Sequence, residues 1–487
     1  MEYPTCIDRQ QELTTLRERF SRRGAEFIVV YGKRRIGKST LLQKFMEDTD
    51  GIYFFCRIES QKEMFERFSS QIAEEMGIEY LKGAPFTTWD SLLDFFIEKK
   101  TNNFAIVFDE FPYMVSANPA LPSIFQDYWD RKIKKTNLKI IICGSSISMM
   151  ESLLGYKSPL YGRRTAQINV CQMDFKNSCK FLENYSFEEK ITIYSICGGT
   201  PAYLIEFDGT PIQRCIEDKI FRKDAFMYNE VPFLLREELK EPRIYFSILN
   251  AISIGKTTLS EIINHTGYEK GIITKYLSVL SDLKLVNRMI SITESAKSRK
   301  SIYVLHDNFF VFWFRYIFNN MEMIEKNLSS QLVKSIMERN NEICSRVFGK
   351  ICIEFLLMKK PFEFTRIGSW WYRGDEIDIV ALNDITKEIL FCECKYTNRM
   401  LDTDVYLNLV DKAGSVKWGG LGRKETYCLI SRSGFTKRMK KLAAEDNALL
   451  FDLNDLELEF IVGNGEVSKP DSDDRSAYIS SDTDRHL

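Results

Sequence analysis

Residues 26–42, EFIVVYGKRRIGKSTLL, constrain what this chain can fold into more than any other stretch. Residues 27–31 are apolar and β-rich, and they run straight into Gly32-Lys33-Arg34-Arg35-Ile36-Gly37-Lys38-Ser39-Thr40, the spacing of a phosphate-binding loop that follows a strand. Gly32 and Gly37 allow the tight turn in which successive N–H groups converge on phosphate oxygens, with a helix N-terminus behind them. The spacing predicts that Lys38 meets the β- and γ-phosphates of ATP and that Ser39 supplies a hydroxyl to Mg²⁺. It also predicts an amphipathic helix through 40–45 that packs on the sheet. A Gly-containing surface turn is the competing reading, and the strand before, the helix after and a second motif downstream argue against it.

Further along, residues 104–108 are apolar and end on Asp109-Glu110. A strand ending in an acidic pair predicts an aspartate that orients Mg²⁺ through its water shell and a glutamate that polarises the attacking water. Residues 139–144 form another strand that stops at Ser145-Ser146, where small hydroxyls can sense the γ-phosphate. Between that strand and a further one at 168–170 lies LYGRRT, whose Arg163 and Arg164 suit an arginine-finger role, in cis or from a neighbouring subunit. A helix to about residue 20, a strand at 52–56 and helices at about 62–76 and 89–99 complete this region.

With 487 residues, 44% of them hydrophobic, the chain is long enough for about three domains. A net charge of −1 excludes a globally basic nucleic-acid coat, so any DNA contact has to come from a local basic face. Twelve cysteines are scattered through apolar segments without a CxxC pair, and there are only three histidines, which points to free thiols in a reducing compartment and argues against a zinc cluster. No signal peptide opens the sequence and no apolar run reaches membrane-spanning length; the expectation is a cytoplasmic protein with no membrane partner.

From 242 the pattern changes to three short helical segments, 244–252, 258–264 and 270–283, followed by β-rich pieces at 285–292 and 301–305. Three helices and a basic hairpin outline a winged helix. Lys270 and Lys275 then lie on the helix that enters the major groove, and Lys297, Arg299 and Lys300 on a wing that touches phosphate, giving double-stranded DNA as the expected partner. A winged helix used only for packing or protein contacts fits the modest basic density as well. The aromatic run 309–318 reads as interdomain packing.

In the last domain a helix over 341–358 precedes strands at 370–380 and 389–395. Alternation places Glu376 and Asp378 on one face, with Ile377 and Ile379 on the other, and puts Glu393 and Lys395 together with Cys394 turned away. Antiparallel pairing gathers Asp378, Glu393 and Lys395: two carboxylates for a hard divalent cation, and a lysine to orient water or stabilise a phosphate's growing charge. Solvated charges on an exposed strand face are the alternative. A helix at 402–414, a strand at 426–431, a helix at 436–444 and a strand at 449–452 complete an α/β scaffold, and the Ser/Asp-rich tail from 463 is expected to be disordered.

In order, YGKRRIGKST, IVFDEFPYM, IICGSSISMM and PLYGRRT resemble the archaeal-type ATPases, grouped with the signal-transducing branch of the AAA+ ATPases, over about residues 1–228. The resemblance implies an ATP-binding α/β domain with a helical lid, whose turn Gly198-Gly199-Thr200-Pro201 is also similar to the family's. The D…ExK spacing resembles the PD-(D/E)xK nuclease superfamily over about 341–452, with Asp378 and Glu393 matching the metal ligands, Lys395 the catalytic lysine and Glu354 a supporting acid. Ile377 stands where that superfamily has a proline. The expected architecture is therefore an α/β chain: a P-loop NTPase core over 1–173, a helical lid over 174–240, a winged helix over 241–306, a helical linker over 307–340, a nuclease-like domain over 341–462 and a tail over 463–487. The function implied is ATP hydrolysis coupled to DNA binding and metal-dependent cleavage, with a homo-oligomer among the expected partners. The alternative is a nucleotide-dependent regulatory switch whose nuclease-like domain recognises a partner without cutting.

Overall fold

The computed structural model describes residues 8–462, apart from 240, 296, 299 and 421. Two five-stranded sheets are joined by a helical middle. In the first, β1 (Glu26–Tyr31), β2 (Gly51–Phe55), β3 (Phe104–Asp109), β4 (Leu138–Gly144) and β5 (Ala166–Asn169) are all parallel, in the order β2-β3-β4-β1-β5. β1, β3 and β4 are buried along their whole length, as parallel strands covered by helices on both faces must be. Phe27, Val29 and Tyr31 enter one apolar core while Ile28 and Val30 enter the other, the period-2 alternation of a strand. Because the strands are parallel, the ends of β1, β3 and β4 lie along one edge, where α/β sheets hold ligands.

The middle of the chain packs as one body. A single apolar core takes in Leu182, Ile216 and Leu235, then Ile248, Ile273 and Leu280, then Phe309, Trp313 and Ile336, so the expected lid, three-helix segment and linker share an interior. Helices Pro242–Ser253, Leu259–Thr266 and Lys270–Asp282 are followed by an antiparallel hairpin, β6 (Val286–Ile290) and β7 (Ser301–Leu305). The aromatic run is core rather than surface: Trp313 is fully buried and its indole N–H donates to the Tyr228 carbonyl at 2.7 Å.

The second sheet has the order β12-β11-β10-β9-β8, where β8 is Arg366–Tyr372, β9 Asp375–Asn383, β10 Glu388–Lys395, β11 Lys424–Ser431 and β12 Leu449–Asp452. β8, β9 and β10 pair antiparallel; β10, β11 and β12 are parallel. Helix Asn340–Lys359 covers one face together with Phe175, Phe187 and Ile191 from the middle body, and helices Thr403–Gly414 and Lys437–Asp446 cover the other. The tail from 463 and Arg299 lie outside the described residues.

One strand departs from simple alternation. Gly368 pairs with Val380 but Trp370 pairs with Ile377, so β9 carries one extra residue across this interval, a β-bulge. Ile377 therefore joins one core and Ile379 the other, correcting the expectation that they share a face.

Glu354 also sits elsewhere than expected. Both of its oxygens accept backbone N–H bonds, from Phe175 at 3.0 Å and Lys176 at 2.9 Å, so it caps a short helix of the middle body and does not support Asp378. Burial, helped by nearby Asp174, pushes its carboxyl up to about 7 against the pull of those two bonds. A carboxyl held above its unfolded value of about 4.3 favours the fold fully below that pH and loses this contribution as pH rises through about 7. Glu354→Gln is therefore expected to gain stability relative to wild type between pH 5 and 8, by up to about 3 kcal/mol, measured by denaturant unfolding across that range.

Candidate nucleotide and metal sites

At the end of β1 the loop turns at Gly32, where a Cβ would lie 2.2 Å from the Val170 carbonyl oxygen; no larger residue fits so close to a neighbouring backbone. Helix Lys38–Met46 begins after Gly37, whose φ of 89° puts it in the left-handed region, and no side chain caps the helix. Its first N–H groups, together with those of the loop, are thus left for an anion.

Lys38 is buried, and its ammonium donates to the Lys33 carbonyl at 2.8 Å. Burial lowers its pKa despite the opposing fields of Glu110 and Asp109. Ser39 donates to Asp109 at 2.6 Å, Tyr53 donates to the same carboxylate oxygen, and the Glu110 N–H donates to the other at 3.0 Å. Glu110 takes a left-handed φ of 56° and accepts bonds from the Ser145 hydroxyl at 2.7 Å and the Ser145 N–H at 3.3 Å. The ends of β1, β3 and β4 therefore bring together the residues expected from three separate motifs. The hydroxyl and carboxylate of Ser39 and Asp109 form an oxygen pair of the kind Mg²⁺ takes.

The three basic side chains of the loop do something the motif does not specify. Lys33 pairs with Asp307 at 2.9 Å, Arg34 with Glu237 at 2.6 Å and Arg35 with Glu230 at 3.0 Å, and Arg35 also lies over the Phe226 ring. These side chains are engaged by the middle body, which leaves the backbone of residues 32–40 and the Lys38 ammonium to meet phosphate. Glu238, on the same Phe226–Glu238 helix, accepts from the N–H groups of Ile147 at 2.9 Å and Ser148 at 3.0 Å, tying that helix to the loop after β4. Between the phosphate loop, Ser145 and this helix the free space is about 20 Å³, enough for about one water.

Asp307 is the most buried of these partners, with 3% of its side chain exposed; it also accepts from Gln172 at 2.7 Å and from the Phe309 N–H at 2.8 Å. Asp307→Asn leaves the Lys33 charge without its counterion and is expected to cost about 3 kcal/mol of stability, read as a lower urea midpoint at unchanged slope.

Two loop-stabilising residues escaped sequence reasoning. Arg9 donates to the Ile36 carbonyl at 3.0 Å and the Cys171 carbonyl at 2.7 Å, bracing the loop from the N-terminal segment. Tyr53 was foreshadowed only by alternation, which sets it opposite Ile52 and Phe54 on β2.

Arg163 and Arg164 do not converge on the loop within this chain. Arg163 pairs with Asp130 at 2.7 Å and donates to the carbonyls of Pro159 and Tyr161, and Arg164 donates to the Leu154 carbonyl at 3.2 Å. Both guanidinium groups are held by their own surroundings.

In the second sheet, Asp378 accepts from the Cys394 N–H at 2.9 Å and from Lys395 at 3.2 Å, and Lys395 also reaches Glu393 at 2.8 Å. Lys412 approaches the same Glu393 oxygen at 3.5 Å. The other oxygen of Glu393 is buried without a hydrogen-bond partner, an acceptor that a hard cation would satisfy. Among the described residues no three His, Cys, Asp or Glu side chains converge to enclose an ion. Burial, with Asp378 and Glu393 adding to it, raises the Glu376 pKa. Burial works against the Lys395 charge, but the same two carboxylates outweigh it and hold its pKa above the ordinary value.

Of the basic residues expected on DNA, Lys270, Lys275 and Lys297 are exposed. Lys300 pairs with Glu294 at 3.4 Å and lies over the Tyr372 ring, and the hairpin is bonded to β8 through the Ile292 N–H and the Ser369 carbonyl at 3.0 Å. Among the described residues no helix is long and apolar enough to cross a membrane.

Residues 6–207 match the family described as an ATPase domain predominantly from Archaea, and residues 313–406 match one described as archaeal and bacterial proteins of unknown function. An uncharacterized protein of Methanocaldococcus jannaschii is 39% identical over 457 residues, covering 92% of this chain and 99% of its own. An uncharacterized ATP-binding protein of the same organism is 38% identical over 42 residues, 9% of this chain and 71% of its own. Among solved structures, the Walker-type ATPase of Pyrococcus abyssi superposes with a TM-score of 0.50 at 20% identity, over 64% of this chain and 96% of that one, a likeness of fold. At 39% identity over 92% of its length, the chain belongs to the family of that Methanocaldococcus protein, and its own residues 6–207 match the archaeal-type ATPase domain.

Proposed function

We propose that the chain hydrolyses ATP with Mg²⁺ and uses the nucleotide state to reposition its middle body, which engages double-stranded DNA while the C-terminal site cuts a phosphodiester. The observation that carries the ATPase reading is the meeting of Ser39 and Asp109 at 2.6 Å beside a Glu110 already oriented by Ser145. In this reading Lys38 and the free amides of the loop hold the phosphates, Ser39 and Asp109 hold the metal, and Glu110 orients the attacking water. The metal supplies charge neutralisation at the β- and γ-phosphates. Arg164, held by a single carbonyl, is the better placed of the two arginines to serve a neighbouring subunit in a homo-oligomer.

The repositioning rests on the Phe226–Glu238 helix, whose Glu237 and Glu230 pair with Arg34 and Arg35 of the phosphate loop: phosphate arriving at the loop competes for those cations and frees the helix to move. That helix shares its core with the three-helix segment read here as a winged helix, so the movement reaches Lys270, Lys275 and Lys297. The nuclease-like reading rests on the unpartnered Glu393 oxygen beside Asp378 and Lys395: Asp378 and Glu393 hold the metal and Lys395 stabilises the phosphate's developing charge.

A second reading, a nucleotide switch whose C-terminal domain recognises a partner without cutting, is favoured by one observation: the hairpin's Lys300 and backbone are already bonded within the chain. ATP turnover with and without duplex DNA, run beside plasmid nicking in Mg²⁺, separates them. DNA-stimulated turnover with nicking supports the first reading, and turnover without nicking under any nucleotide condition supports the second.

A further inference from the structure

A cavity of about 490 Å³ lies where the three-helix segment, helix Asn340–Lys359 and β9 meet. Three cations line it: Arg315 from the aromatic run, and Arg346 and Lys350 from one face of the long helix, four residues apart. Among the described residues none of the three has a carboxylate within ion-pair distance. Their polar contacts are long and neutral: Arg346 to the Ser253 carbonyl at 3.3 Å, and Lys350 to the His306 carbonyl at 3.5 Å and the Asn308 side chain at 3.4 Å. Three unpaired cations around one hollow repel one another and gain from an anion between them. The half-buried Tyr316 ring, backed by the buried Phe312, also lines the hollow, and Arg315 lies over it.

The opposite wall is acidic. Glu376 and Asp378 face the cavity, and the Asp378 carboxylate is the one that Lys395 links to Glu393. The β9 bulge aims Asp378 there, a common use of a bulge beside a reactive site. A ligand that fills this space therefore meets cations and the Tyr316 ring at one end and, at the other, Glu376 and Asp378, of which Asp378 belongs to the proposed metal site. Its volume is that of a small-molecule pocket, and a duplex with a major groove about 12 Å wide cannot enter it whole.

We infer that this cavity binds one nucleotide as its phosphoester, with Arg315, Arg346 and Lys350 holding phosphate, Tyr316 stacking the base, and the ester directed toward Asp378. Cations along a backbone with aromatic faces for bases are how single strands are held without sequence preference. The nucleotide comes either from a single-stranded end or from a free nucleotide, which share this chemistry. The inference rests on the nuclease-like reading only for what happens next at Asp378; binding itself needs no cleavage.

The test uses the full chain carrying Asp378→Asn, in EDTA, so that neither cutting nor metal is involved. A fluorescein-labelled ten-residue thymidine strand is titrated by anisotropy, with AMP as unlabelled competitor. The expected result is saturable binding that Arg315→Ala/Arg346→Ala weakens at least tenfold, with the slope of affinity against salt reduced by roughly 1.4 for two lost phosphate contacts. Arg315→Lys/Arg346→Lys, which preserves charge and guards against misfolding, is expected to retain most of the binding. Full competition by AMP identifies a free nucleotide as the source, and weak competition a strand end; either supports the site. Equal binding by the alanine and parent proteins, or no binding of strand or AMP by the parent, overturns it. Absence of nicking by wild type alongside intact strand binding would sink the nuclease reading alone.

Discussion

Lys38→Ala is expected to weaken ATP binding by two to three orders of magnitude while changing the stability of the nucleotide-free protein by less than about 1 kcal/mol. The ammonium is buried with one neutral partner, the Lys33 carbonyl, so the resting fold gains little from it. Its pKa is lowered by burial, meaning that the site holds a charge at some cost and recovers that cost when an anion arrives. Two charge-assisted bonds to phosphate are together worth about 3 to 4 kcal/mol, which sets the expected loss. Calorimetric titration with ATP, run beside thermal unfolding of both proteins, separates a binding defect from a folding defect. A variant that binds ATP as wild type does would remove Lys38 from the phosphate site.

Asp378→Asn is expected to reduce Mg²⁺-dependent plasmid nicking by at least about 10²-fold without altering ATP turnover. Asparagine keeps an acceptor for the Cys394 N–H, so the end of β10 stays anchored, but it loses the charge that both a cation and Lys395 require. The two sites lie on different sheets with separate cores, so ATP turnover serves as an internal control. Loss of both activities together would mean that the substitution disturbs the whole chain. Unchanged nicking would assign any cutting to another protein in the preparation.

The ATP site was legible in the sequence because its chemistry is local. The loop needs glycine at 32, where a Cβ would lie 2.2 Å from the Val170 carbonyl oxygen, and the apolar run of β3 ends on Asp109 as its pattern predicts. The meeting of Asp378 with Lys395 was legible in part: antiparallel pairing brings the ends of β9 and β10 together, but the bulge breaks the period of two there. Features set by distant packing were not legible. Lys33 and Asp307 are 274 residues apart, and nothing near either residue marks the other. Glu354 reads as a helical acid one domain away from its use, because the helix it caps belongs to the middle body. Arg163 and Arg164 looked free because Asp130 and the Leu154 carbonyl become their partners only on folding. The bulge in β9 follows from tertiary pairing with β8, and the alternation on which the sequence reading relied is interrupted at the residue whose side chain the bulge re-aims.

Titration of the wild-type chain with ATP by calorimetry, first in Mg²⁺ and then in EDTA, tests most directly whether the ends of β1, β3 and β4 form a working site. Saturable binding near one ATP per chain that weakens when the metal is withdrawn is the expected result. No heat of binding in either buffer, from protein whose unfolding transition is intact, would contradict it.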